Sequence, residues 1–572
     1  MARALTSCAR PESARADSGR ATIPTGGRFA AAAAAIVVSL LAVSGAGAAG
    51  AQTPRKGGTV VFGGPFGEPA CFTPNRGECA SGSTLTVRGF IARKVLEAPF
   101  DVGPDLTWRP KLVTNVTFTK RPPFTLTYHI RPEARWSDGV PITARDFVFS
   151  HQAIRKHGAP DDLHRTLVRS VRALDAKTVR VVLRSRFAGW RGVLFGRGVL
   201  PSHALQGEDL ETVWSDRIDN PKTGRPIGSG PFLVERWERG KQITLVRNPR
   251  YWGPHAAYLD RLVVRFQVQG TALRDAFRRG ELDAASHFPP GFVADLRQEP
   301  AVSVLSNQRS AGWDLLEVRV GPGGHPALRN KLVRRALAYG VDRAAIVRDV
   351  LLETDRNASQ RDSAVFPTQS PHYRRNWQMY RYRPAEARRL LEQAGCRRGS
   401  DAIYVCAGER LRLRFVTTSP PGGFRPRVLE LVQTQLRQVG VEVVPTFATN
   451  ISFFGQILPS GDYDVALLAW IANPDPTFAK FIFGCGGPLN HTGYCQRLVT
   501  SDLDQAERIL DADQQARVLN RADAQMAKDV PVIPLYQQTQ SVALRSTVRN
   551  FGLSLNTTLT PLWNAEDWWL ER

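Results

Sequence analysis

The sequence predicts an α/β protein built from more than one lobe, and three observations carry that expectation. From about residue 310 onward, strand-like and helix-like segments alternate, the order of a mostly parallel sheet covered by helices. Before that point the chain carries short alternating strands separated by Gly/Pro turns. The 572 residues also exceed what one hydrophobic core usually serves, so two or three lobes are expected.

In order along the chain, "GGTVVFGG" reads as a short buried strand, followed by a Pro/Gly loop through Cys71 and Cys79. "FTLTYHI" alternates like a strand and "WSDG" is a turn. Thr143 and Asp146 in "TARDFVFSHQAI" make a capping-box pattern that opens a helix. "KTVRVVLRS" is another strand, and "GSGPFLVERWERGKQITLVRN" reads as two strands around a Gly-containing turn. "WDLLEVRV" begins the alternating half. In the segment after it, Leu328, Leu332, Val333, Ala336 and Leu337 fall on one helical side. Pro384 opens a helix that stops at Gly395, and "PRVLELVQTQLRQVG" is a helix closed by Gly440. "LRLRFVTT", "VEVVPTF" and "YDVALLAW" are strands, and "DVPVIPLYQQTQSVAL" returns to strand-like text.

The amino-terminal segment reads as an export signal over 1–51. Arg28 precedes "FAAAAAAIVVSLLAVSGAGAAGA", and Ala49-Gly50-Ala51 fits a small-x-small cleavage site with a mature start near Gln52. An uncleaved membrane anchor is the alternative. No Cys follows the apolar run directly, so no lipid-attachment site is expected. Six cysteines fall as three close pairs, Cys71 and Cys79, Cys396 and Cys406, Cys485 and Cys495, and an oxidising compartment would make each pair a disulfide. Metal binding is the rival use of these thiols, but no C-x-x-C spacing or neighbouring His cluster supports it.

The net charge of +24 raises nucleic-acid binding as a function class. The basic residues are dispersed among acids, as in "FRRGELDAA" and "RPAEARRLLEQAG", which is the pattern of a solvated surface, so no nucleic-acid partner is expected. No G-x-S-x-G, H-E-x-x-H or P-loop motif occurs, and the ten histidines are scattered. The acids at Asp502 and Asp504, or Asp161 and Asp162, are no more than many surface helices show. No catalytic residue, cofactor or metal is therefore expected.

Six blocks in order resemble the extracytoplasmic solute-binding proteins of ABC importers, family 5, the peptide/oligopeptide/nickel-binding type. They are "VLEAPFDVGPDLTWRPKLVTNV", "YHIRPEARWSDGVPITARDFVFSHQAI", "PIGSGPFLVERWERGKQITLVRNPRYWG", "ALRDAFRRGELDAA", "NKLVRRALAYGVDRAAIV" and "YRPAEARRLLEQAG". Within them Trp136, Asp138, Gly139, Gly228, Gly230, Asn248, Tyr251 and Trp252 have local turn and packing reasons to be present.

The resemblance implies a periplasmic-binding-protein-like, two-lobed flytrap with an extra α+β domain, three domains in all. Domain I would comprise 53–90, 197–308 and 530–572, domain II 91–196 and domain III 309–529, with interlobe crossings near Ser310 and Val530. The implied function is non-enzymatic capture of an oligopeptide or peptide-like solute between the lobes, for delivery to membrane permease subunits. An oligosaccharide, an opine-like metabolite or a metal chelate would suit the same scaffold, as would a sensory or enzymatic role. The protein is expected to be extracytoplasmic and monomeric.

The same resemblance singles out "AWIANPDPTF". Peptide binders of the family carry a Trp at this strand end and, three residues on, an Asp that pairs with the peptide's amine. Trp470 matches the first, and Asn473 replaces the acid with an amide that can both accept and donate. Asp475, between Pro474 and Pro476, reads as a turn cap with a secondary prospect of meeting ligand. Ser419 stands where dipeptide binders place a carboxylate-binding Arg, and Arg425 or Arg427 nearby could reach in instead. Trp313 and Phe66 are expected at cleft-facing strand ends, where aromatic faces suit peptide side chains or sugars.

Overall fold

The computed structural model describes residues 53–571, apart from 69–70, 74–90, 159–161, 287, 289, 308–309, 353–354, 419–423, 472–473 and 555–560. Its strands and helices group into three principal sheets.

Strand β1 spans Thr59–Gly63, and the next four strands are β2 (Val113–Phe118), β3 (Thr125–Ile130), β4 (Val168–Ala173) and β5 (Thr178–Leu183). They are followed by β6 (Phe232–Glu238), β7 (Gln242–Arg247), β8 (Arg261–Arg265), β9 (Ala284–Ser286) and β10 (Val302–Asn307). The second half supplies β11 (Gly312–Val318), β12 (Arg412–Thr418), β13 (Glu442–Ala448) and β14 (Val465–Ile471). The last two are β15 (Val532–Gln537) and β16 (Gln540–Arg545).

The first sheet runs β6-β7-β8-β1-β9-β16-β10, with β1 parallel to β8 and β9. The second, β2-β3-β5-β4, is wholly antiparallel and is covered by helix α1, Ala144–His157. Thr143 and Asp146 close the expected capping box at the start of α1, with the Thr143 N–H donating to Asp146 Oδ2 at 2.8 Å. One apolar core, from Val60 through Tyr128 to Trp568, is shared by these two sheets.

Two of the blocks read from sequence dock on each other within that core. The "WSDG" turn buries Trp136 fully and puts Gly139 at φ +97°, a conformation that costs glycine little. The Ser137 N–H then donates to Gly228 O at 2.8 Å. Asn248 Nδ2 holds Gly230 O at 2.8 Å, and Trp252 Nε1 holds Ser229 O at 2.9 Å. These residues build the scaffold.

The third sheet runs β13-β12-β14-β11-β15 and has a separate core, drawn from residues 313 to 536. Three helices introduced here pack on it: α2 (Lys331–Gly340), α3 (Pro384–Gln393) and α4 (Arg425–Gln438). The expected parallel pattern holds for β13, β12 and β14, but β11 runs antiparallel to both of its neighbours. The reversal has a topological cause. β11 enters directly from β10 of the first sheet, so it starts at the edge where β12, β14 and β15 end.

The chain passes between the first and third sheets twice, from β10 to β11 and from β15 to β16 through Gln538–Thr539. Ser310 lies in the first of these passages. The second is not near Val530, because β15 follows that residue and remains hydrogen-bonded along β11. Val530 instead terminates the helix Ala512–Asp529 in a left-handed conformation.

Disulfides join Cys396 to Cys406 and Cys485 to Cys495. Cys71 is disulfide-bonded too, while Cys79, its expected partner, lies outside the described residues. Among the described residues no helix is long and apolar enough to cross a membrane.

Candidate functional site

All seven residues of β11 are buried. Leu315, Leu316 and Val318 each contribute about 1.5–3 kcal/mol by leaving water. Asp314 and Glu317 in the same strand oppose this, because a buried carboxyl costs free energy unless it is partnered or neutral. Asp314 lies at the end of the strand where the two interlobe passages meet, and Glu317 lies toward its other end.

On one face of the sheet Trp313 of β11 stands directly opposite Trp470 of β14. Trp470 is half-buried, and its indole Nε1 donates to Glu317 Oε1 at 3.0 Å. Its ring lies nearly parallel to that of His491, with centroids 6.2 Å apart and an interplanar angle of 9°. His491 belongs to the loop closed by Cys485–Cys495, and its carbonyl accepts from Tyr463 Oη at 2.8 Å and Arg319 Nη1 at 2.5 Å. Burial, and then the Arg319 charge, hold the His491 imidazole below its ordinary pKa, so it is neutral at pH 7.

Trp313 is only 2% exposed, and the Arg361 guanidinium lies over its ring at 4.3 Å. Arg361 is itself fully buried. Its Nε donates to Ser363 O at 2.6 Å, and its main-chain N–H reaches Leu535 O on β15 at 3.0 Å. Burial pulls its pKa down to about 9, which leaves it charged at pH 7.

The opposite face carries an ion pair. Arg425, the first residue of α4, places Nε 3.5 Å from Asp314 Oδ1 and donates through Nη1 to Thr418 Oγ1 at the end of β12. Asp314 Oδ2 accepts from Gln538 Nε2, in the second interlobe passage, at 2.8 Å. Burial still raises the Asp314 pKa against the lowering effects of Arg425 and Gln538.

The structure therefore brings Trp470, Trp313 and Arg425 to one end of one sheet. Asp475 caps the turn Pro476–Phe478, accepting from the Thr477 N–H at 3.0 Å. Phe66 sits elsewhere: it is 2% exposed and stacks on Phe62 at 5.3 Å within the core of the first two sheets. That makes it a packing residue, not an open aromatic platform. Ser419 and Asn473 lie outside the described residues, just beyond the ends of β12 and β14.

Sequence reasoning missed Glu317, Arg361, Asp314 and His491. Acids inside the apolar run "WDLLEVRV" read as a strand's wet face, and nothing local tells that both faces are covered. Among the described residues no group of three or more His, Cys, Asp or Glu is arranged to hold a metal ion. The site offers one part-open indole, a guanidinium held beside a carboxylate, and side-chain amides, a chemistry of hydrogen bonding and stacking.

Known proteins match this chain along most of its length. It is 27% identical over 477 residues to an oligopeptide-binding protein, OppA, of Mycobacterium tuberculosis, covering 81% of this chain and 78% of the relative. The fold superposes on the oligopeptide-binding protein AppA of Bacillus subtilis, solved with a nonapeptide, with TM-score 0.74, 20% identity and coverage of 91% and 100%. It superposes on a periplasmic EDTA-binding protein, EppA, with TM-score 0.79, 21% identity and coverage of 91% and 98%. The model of the bacterial extracellular solute-binding proteins, family 5 Middle, matches residues 107–488. With two α/β lobes and that match over more than half its length, the chain belongs to the family 5 bacterial extracellular solute-binding proteins.

Proposed function

We propose that this protein captures a peptide or peptide-like solute between its lobes and delivers it to permease subunits of an ABC importer, without altering it chemically. The observation that carries this reading is the placement of Trp470 and the Arg425–Asp314 pair at the sheet edge where both interlobe passages lie. An indole face stacks on solute side chains. Arg425 can bind a carboxylate once Asp314 shares it. The peptide binders among its relatives support the same class.

The division into domain I (53–90, 197–308 and the carboxy-terminal segment), domain II (91–196) and domain III belongs to this proposal, with its boundary moved to Gln538–Thr539. Closure of domain III over domain I would favour the solute-bound state to the extent that solute prefers it. The export signal, an extracytoplasmic location and a monomeric state complete the reading. Asn473 in place of an acid argues against strong dependence on a free amino terminus, so amino-blocked or modified peptides fit the site as well as free ones.

A melting-temperature screen of the mature protein against a casein digest, oligosaccharides and metal chelates tests this. The digest should raise the melting temperature, and Trp470→Ala should abolish the rise. A response to sugars or chelates alone would replace peptide with that class.

A further inference from the structure

Glu317 is fully buried in β11, an interior strand of the third sheet flanked by β14 and β15. Oε1 accepts from Trp470 Nε1 at 3.0 Å, and Oε2 has no hydrogen-bond partner among the described residues. An ionised carboxylate has about four lone-pair sites to satisfy, and one neutral indole N–H satisfies one of them. The titratable groups around it give no further help. Tyr463 Oη donates to His491 O, His491 is neutral, and Arg319 spends its guanidinium on Pro322 O and His491 O. Asp314, on the other face of the same strand, contrasts with it, having both Arg425 and Gln538 as partners.

We propose that Glu317 is a positioning residue of the solute site: its neutral carboxyl holds the Trp470 indole by its edge against His491, and ionisation releases that indole, making solute capture proton-linked. The inference rests on the reading that Trp470 faces solute. A neutral carboxyl accepts the indole N–H through one oxygen and carries its proton on the other, so it satisfies the geometry without a buried charge. Burial raises its pKa to about 8, so it keeps the proton at pH 7 and loses it in mildly alkaline solution. The Trp470 N–H bond by itself favours the ionised form, but burial opposes it more strongly, so the ionised group turns toward water and Trp470 loses the bond that fixes its ring.

The test uses the mature protein labelled with 5-fluorotryptophan, in which the Trp470 resonance is the one lost in Trp470→Phe. In the wild type this resonance should shift with pH around a midpoint of about 8. In Glu317→Gln, whose amide oxygen accepts the same N–H and does not titrate, it should hold its neutral-pH position throughout. In Glu317→Leu it should be displaced at every pH. The melting-temperature rise given by a casein digest should be smaller at pH 9 than at pH 7 in the wild type, and equal at both in Glu317→Gln. A Trp470 resonance that does not move through pH 10 in folded wild type overturns the proposal. So does one that moves identically in Glu317→Gln, and so does a digest response independent of pH in the wild type. If Glu317→Leu fails to fold, the wild type and Glu317→Gln decide between them. If the resonance titrates as stated but no peptide shifts the melting temperature at either pH, the peptide reading fails while the hold of Glu317 on Trp470 stands.

Discussion

Gly189 meets Asp475 across the gap between the unit built on the second sheet and the unit built on the third. The approach is so close that a Cβ on Gly189 would overlap Asp475 Oδ2. Beside it the Ala188 N–H donates to Glu507 O at 2.7 Å, and Arg191 lies near enough to lower the Asp475 pKa against the larger raising effect of burial. Glu507 is braced in turn by Lys480 Nζ at 2.7 Å, which also reaches Asp504 at 2.8 Å. The turn that follows the Trp470 strand thus carries a direct contact between lobes.

Gly189→Val should break this contact. The lost Ala188–Glu507 bond is worth about 1 kcal/mol, enough to shift an open–closed equilibrium about fivefold. Small-angle scattering of the solute-free protein should report a larger radius of gyration for the variant. An unchanged radius would mean that the contact does not hold the lobes.

Glu317 makes stability depend on pH in a defined direction. Its folded pKa of about 8 lies above the ordinary 4.5, so the folded state keeps a proton that the unfolded chain releases. The stability it supports is complete below about pH 4.5 and is lost as pH rises to about 8, on the order of 5 kcal/mol at most. Denaturant unfolding at pH 5 and pH 8 should therefore show a smaller loss for Glu317→Gln than for the wild type. Equal losses would place the titration elsewhere.

The Cys485–Cys495 bridge closes the loop that carries His491. Replacing both cysteines by Ala should cost about 2–3 kcal/mol by the chain-entropy estimate for a loop of this length. It should also weaken solute binding, because the indole loses the surface it stacks on. Replacing Cys396 and Cys406, joined by a bridge of the same sequence separation, should cost similar stability and leave binding unchanged. Chemical denaturation and a binding assay on the two variants separate these effects.

Asn473→Asp restores the acid that peptide binders of this family carry at the matching position. If the amide sets solute choice, the variant should favour free-amine peptides over amino-acetylated ones by about tenfold more than the wild type, the scale of one charge-assisted bond. Paired calorimetric titrations would measure it. An unchanged ratio removes Asn473 from the site.

Much of the frame was legible because it is written locally. Thr143 and Asp146 declare a helix start, Trp136 and Gly139 a buried turn, and the paired cysteines short bridges. The direction of β11 and the late second passage were not, since both depend on which sheet a strand joins. In the site, Trp470 and the alternatives Arg425 and Arg427 could be named through the family resemblance of the segments that carry them. Glu317 and Arg361 could not, because a charged side chain in an apolar strand or loop reads as solvated until the third dimension covers it. Phe66 illustrates the converse. An aromatic expected at a cleft-facing strand end is instead part of the core of the first two sheets.

The central claim is that the lobes enclose a peptide-like solute. It is tested most directly by purifying the mature protein under native conditions, releasing whatever it retains with denaturant, and identifying the released material by mass spectrometry. The account predicts short peptides or peptide-like molecules at close to one per protein, and their absence from the Trp470→Ala protein prepared alongside. A stoichiometric sugar, opine or metal chelate, or peptides retained equally by Trp470→Ala, would contradict it.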